Sequence, residues 1–222
     1  FQFTIVDASG TAVTDVALEH EKRLHLVIAS RDLTSFEHLH PTMDDAGTWT
    51  VDLPELEPGA YRAFADFRPT GGEALTLGVD LSVPGPTQSP EPLLVSTTDS
   101  VDGYDVTIEG DLSADGETEV VVDVRRDGRA VVPDPYLGAP GHLVALRYGD
   151  LAYLHVHPVE HDGPGARFAI EVPSPGTYAL FFDFAHDGAV HTARFVLDAG
   201  PSDTDNPSTP TLDSPDHGDA HD

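Results

Sequence analysis

Gly141–Pro158 reads GHLVALRYGDLAYLHVHP, and Leu24–Pro41 reads LHLVIASRDLTSFEHLHP. In each stretch a histidine, His25 or His142, opens an apolar run. Thirteen residues later comes His-apolar-His-Pro, as His38-Leu39-His40-Pro41 and His155-Val156-His157-Pro158. His25 and His142, His38 and His155, and His40 and His157 each stand 117 residues apart. The spacing persists downstream, where Tyr61, Asp66 and Phe67 match Tyr178, Asp183 and Phe184. The chain is therefore an internal duplication whose repeated positions include histidines.

Each copy reads as two β-rich runs joined at a polar centre, Arg31-Asp32 or Tyr148-Gly149. Folding about those centres predicts His25 opposite His38 and His142 opposite His155. His40 and His157 then fall on the same face, two residues on, because strand side chains alternate with period 2. Opposed Cβ atoms stand about 4.5–5.5 Å apart, so three such imidazoles can share one ion. A one-residue slip in register would break the set.

Working outward, alternating runs cover Phe1–Asp7, Leu24–Ala29, Ser35–His40, Thr48–Leu53, Tyr61–Phe67 and Ala74–Val83, with Gly, Pro and Asp between them. Strands at that spacing, without helical periodicity, predict an all-β chain of two tandem immunoglobulin-like antiparallel β-sandwich domains. The domains are expected at residues 1–84 and 102–199, with a Pro/Ser/Thr-rich linker at 85–101. Residues 200–222, acidic and almost without apolar content, are expected to be a disordered tail. Pro-Gly-Ala-Tyr at 58–61 and Pro-Gly-Thr-Tyr at 175–178 resemble tyrosine corners. Tyr104–Glu109 (YDVTIE) has no counterpart before Phe1, so the first domain is expected to lack its opening strand, and the native precursor to be longer.

The formal net charge of −28 argues against nucleic-acid or anionic-membrane partners and favours cations. No apolar run approaches the roughly 20 residues of a membrane span. Lys22 is the only lysine, which with abundant Asp, Ala and Gly suggests a GC-rich actinobacterial or a halophilic source. Cysteine is absent and Met43 is the only methionine, so soft Cu(I) and blue-copper sites are poorly served. Imidazole with carboxylate suits Cu(II), Zn(II) or Ni(II), with Cu(II) leading in affinity.

The second copy is expected to carry the better site. His142, His155 and His157 would be ligands, with Asp183 as ligand or orienting acceptor. His186 and His191 flank a predicted Asp187-Gly188 hairpin tip and would add donors. His25, His38 and His40 form the matching set in the first copy, with Asp66 in the role of Asp183. The competing reading has these histidines stabilising their hairpins, and a third has both His faces packed together around one interdomain site. His20 is expected at a solvated strand end, His161 in a loop, and His217 and His221 in the solvated tail. No Gly-x-Ser-x-Gly, phosphate loop or His-Glu-x-x-His is present, so no enzyme is expected.

The stretches HEKRLHLVIASRDLTSFEHLHPTMDDAGTW, YRAFADF, PYLGAPGHLVALRYGDLAYLHVHP and FDFAHDGAVHTARF resemble a family of secreted or lipid-anchored actinobacterial proteins described as heavy-metal-binding or copper-associated. That resemblance implies an extracellular or cell-surface location. It carries over His38, His40, His155, His157, His186 and His191 as motif positions. The fold is also similar to the sandwich of periplasmic copper-resistance proteins. The expected function is an extracytoplasmic Cu(II)- or Zn(II)-binding protein for sequestration or delivery, partnered by the ion and by a membrane transporter or another surface protein. The alternative is a cell-surface interaction module.

Overall fold

A computed structural model describes residues 1–87, 92–160 and 165–200, with only the backbone described at His155 and His157. The expected tail and His161, His217 and His221 lie outside the described residues. No helix occurs among the described residues. The first half contributes β1 (Gln2–Thr4), β2 (His25–Ser30), β3 (Phe36–Leu39), β4 (Thr42–Met43), β5 (Thr48–Thr50), β6 (Gly59–Phe67) and β7 (Leu75–Val83). The second half opens with β8 (Thr98–Val101), β9 (Tyr104–Glu109), β10 (Leu112–Ser113), β11 (Glu117–Arg126) and β12 (Arg129–Val131). It continues with β13 (His142–Arg147), β14 (Tyr153–His155), β15 (His157–Val159), β16 (Ala166–Glu171), β17 (Gly176–His186) and β18 (Ala189–Gly200).

These strands make two antiparallel sandwiches. In the first, sheet β3-β2-β6-β7 packs on β1-β5-β4. In the second, β10-β18-β17-β13-β14 packs on β15-β16-β11-β9-β8, with β12 beside β11 and β10 running parallel to β18. Both tyrosine corners are formed: Tyr61 Oη donates to the Glu57 carbonyl at 2.9 Å and Tyr178 Oη to the Ser174 carbonyl at 2.8 Å. Each ring is buried at the entry to β6 or β17. Tyr61→Phe or Tyr178→Phe is expected to cost about 1 kcal/mol, the usual net worth of such a bond, read as a shift in urea midpoint at unchanged m.

The expected linker is shorter than its composition suggested. Thr98–Val101 is a strand paired with β9 around Asp102-Gly103, whose φ values of 50° and 83° fit the two-residue type I′ turn that Asp-Gly favours. The same chemistry joins β17 to β18 at Asp187-Gly188, as expected.

The alternation in the duplicated stretch explains how the sandwiches meet. Leu24, Leu26 and Ile28 face the first core, and Val27 and Ala29 face the other way. Likewise Leu143 and Ala145 face the second core, while Val144 and Leu146 face out. The outward sets of the two halves join with Leu33, Phe64, Leu151, Ala179 and Phe181 in one buried cluster between the sandwiches. Strands apolar on both faces are therefore sandwiched twice, once by their own domain and once by the sister domain.

One face remains uncovered. Leu77 and Val79 of β7 are 47% and 56% exposed, whereas Ala193 and Phe195, at the same register positions of β18, are fully buried. In the second sandwich Tyr104, Val106 and Ile108 of β9 join that core, and no strand matches β9 among the described residues of the first half.

Candidate metal centre between the sandwiches

β2 pairs with β3 so that Val27 lies opposite His38, and β13 pairs with β14 so that Val144 lies opposite His155. Both registers differ by two residues from the predicted ones, in which His25 faced His38 and His142 faced His155. The connections are longer than two residues: Ser30 Oγ accepts the backbone N–H groups of Thr34 and Ser35, and Asp150 Oδ1 accepts that of Ala152. A slip of two preserves the face, so the histidines of the first copy still converge.

His25 Nδ1 lies 3.0 Å from His38 Nε2 and 3.2 Å from His40 Nε2. One nitrogen from each ring falls within 4.8 Å of the other two. These residues lie at one end of sheet β3-β2-β6-β7, where β2 begins and β3 ends and Pro41 precedes β4 of the other sheet.

The remaining nitrogens fix the tautomers. His25 Nε2 is 3.3 Å from the Glu19 carbonyl, to which only an N–H can bond. His38 Nδ1 is 2.6 Å from Asp183 Oδ2, and Thr192 Oγ1 donates to the other oxygen, Oδ1, at 2.6 Å. With those N–H groups in place, singly protonated rings turn the His25 Nδ1 and His38 Nε2 lone pairs toward each other, and a second proton on His38 makes the contact an N–H···N hydrogen bond. Burial pushes His25 down to about 3, helped by the neighbouring His38, and pushes His40 down to about 3 for the same reasons. A shared cation, a proton or a metal ion, bridges two such nitrogens. Ligand nitrogens about 2.0–2.1 Å from a tetrahedral zinc are about 3.3 Å apart, close to the separations seen here. The donor set fits a transition-metal ion.

The second sandwich completes the wall. His142 Nε2 donates to the Tyr136 carbonyl at 3.1 Å, leaving its Nδ1 lone pair, and burial pushes its pKa down to about 4. Its ring centroid is 6.1 Å from that of His25 and 5.2 Å from that of His20. A cavity of about 20 Å³ among His20, His25, His38, Asp66, His142 and Tyr153 has room for one water-sized particle. Tyr136, pushed up to about 12 by burial and by Asp183, stays protonated.

The structure redistributes the expected site. The three described nitrogens that converge belong to the first copy, not the second. Asp183, expected to serve the second copy, bonds His38 of the first. The side chains of His155 and His157 are outside the described residues; His155 pairs with Val144, and His157 pairs with Ala169 in the opposite sheet. His186 and His191 do not join the cluster. Alternation along β17 turns Phe182 and Phe184 inward and Asp183 toward the interface, so His186 falls on the inward face. There it meets Tyr104 Oη at 2.7 Å, while His191 Nδ1 meets Asp102 Oδ2 at 2.7 Å. His20, expected to be solvated, stands beside the cluster on a tight turn whose central residues His20 and Glu21 have φ of 47° and 64°. Only its place in EHEKRLH hinted at this.

Gly141, immediately before His142, is required by close approach: a Cβ there would lie 2.4 Å from the Phe182 ring and 2.8 Å from the Asp183 carbonyl. Gly141→Ala is expected to destabilise the protein by about 1–3 kcal/mol through overpacking, measured by urea unfolding.

Fold and cluster together define an all-β, two-sandwich protein with a histidine centre that can hold a metal ion. The chain belongs to the family described as "Domain of unknown function (DUF8832)", matched over residues 1–85 and 99–200. A solved structure similar to part of it is a DUF4426 family protein from Pseudomonas aeruginosa PAO1, with 14% identity and a TM-score of 0.37, covering 48% of this chain and 98% of that one. No curated protein matches.

Proposed function

We propose that this protein binds a divalent transition-metal ion, Cu(II) before Zn(II), through His25, His38 and His40, and sequesters or delivers it outside the cytoplasm. The observation that carries this reading is the convergence of one nitrogen from each of His25, His38 and His40 within 4.8 Å of one another, with acceptors behind the rings of His25 and His38. Nitrogen donors without thiolates favour Cu(II) by intrinsic affinity. The acidic surface, with formal charge −28, attracts cations to the site. The likeness to secreted or lipid-anchored copper-associated proteins supports the location and a membrane transporter or surface protein as recipient. Binding rather than catalysis is proposed, because the described cavity beside the cluster, about 20 Å³, admits nothing larger than a water-sized particle.

The test is calorimetric titration of the full chain with Cu(II) and Zn(II) in a non-coordinating buffer, alongside a His38→Ala/His40→Ala double variant. Submicromolar binding that disappears in the folded double variant is expected. Equal binding by both proteins would sink the reading and leave the alternative, a tandem surface module with structural histidines.

A further inference from the structure

Asp183 and His38 belong to different sandwiches, yet their side chains are only 3% and 5% exposed and meet at 2.6 Å. The interface around them is self-complementary. Phe36 stacks on Phe181 with centroids 4.0 Å apart, and Tyr153 packs on Phe64 at 5.3 Å. Positions 36 and 153 are repeats of one another, as are 64 and 181. The same surface of each half therefore meets the other, as in an isologous dimer. His25 and His142, also repeats, face each other with ring planes 29° apart. Asp66 and Asp183 keep the symmetry too, each accepting a cross-strand threonine hydroxyl, Thr76 at 3.1 Å and Thr192 at 2.6 Å. The pseudo-twofold relation thus centres on the histidine cluster.

We propose that the ion site is a clasp between the two sandwiches, in which Asp183 of the second acts as positioning residue for the metal ligand His38 of the first. This rests on the metal-binding reading above. The carboxylate holds the proton on His38 Nδ1 and keeps the Nε2 lone pair aimed at the His25 and His40 nitrogens. An ion on Nε2 polarises the ring and strengthens the Nδ1–H bond to Asp183 across the interface. Ion occupancy and the closed interface therefore favour each other, and the coupling is reciprocal.

Zn(II) calorimetry on the full chain, Asp183→Asn and Thr192→Val tests this, together with hydroxyl-radical footprinting of Phe36, Phe64 and Tyr153 with and without zinc. Asp183→Asn is expected to bind zinc about 10–100-fold more weakly at unchanged stoichiometry. Thr192→Val, which frees the carboxylate without removing it, is expected to lose affinity by a smaller factor. Zinc is expected to slow oxidation of the interface rings in the wild type by roughly fivefold or more. Wild-type affinity in both variants, or unchanged oxidation on zinc binding, overturns the clasp while leaving a metal site inside the first sandwich. Absence of zinc binding to the wild type overturns the metal reading and the clasp with it.

Discussion

Zinc at a thousandfold excess over its dissociation constant is expected to raise the thermal unfolding midpoint by roughly 8–16 °C. A ligand that binds only the folded state contributes about 4 kcal/mol at that excess, and a chain of this size gains about 2–4 °C per kcal/mol. The condition is met because His25, His38 and His40 come together only when β2 and β3 are paired. Histidines on an unstructured acidic segment would bind the folded and unfolded chain alike and leave the midpoint unmoved. His25→Ala removes the nitrogen that both other rings approach, at 3.0 and 3.2 Å. Its zinc-induced shift is expected to vanish, read by scanning calorimetry at matched zinc. A shift as large in His25→Ala as in the wild type would place the ion elsewhere.

The duplication made the two sandwiches and the corner tyrosines legible, because each is a local pattern repeated 117 residues on, and the Asp-Gly pair alone marked the Asp187-Gly188 hairpin. Face assignment survived an incorrect register, since the two-residue slip conserved the alternation that places His25 and His38 together. What could not be read was which half supplies which partner. Asp183 pairs with His38 across 145 residues of sequence, and nothing in either repeat distinguishes a carboxylate used at home from one used by the sister domain. The fully apolar runs of β2 and β13 contained the missing clue. A strand buried on both faces needs a second layer, and an antiparallel sandwich alone provides only one. The hairpin histidines His186 and His191 misled for the converse reason: they lie close in sequence to Asp183, but His186, three residues on, falls on the opposite face of β17.

Phe181→Ala is expected to cost about 3 kcal/mol or more, the usual range for a buried phenylalanine, and to do so without entering either sandwich's own core. Phe181 is 2% exposed and lies flat against Phe36, with ring planes 5° apart. The buried cluster it belongs to also holds Val27, Ala29, Leu33 and Phe64 from the first half and Val144, Leu146, Leu151 and Ala179 from the second. The two interior cores, one around Trp49 and Tyr61 and the other around Phe168 and Phe182, do not include it. The loss should therefore appear as cooperativity. The wild type is expected to unfold in one calorimetric transition and Phe181→Ala in two, because each sandwich retains a core of its own once the apolar contact between them is weakened. Saturating zinc, bound where His38 meets Asp183 of the other half, should draw the two transitions of the variant back together. A single transition in Phe181→Ala without zinc, at a midpoint near that of the wild type, would mean that the polar contacts across the interface suffice and the aromatic stack contributes little.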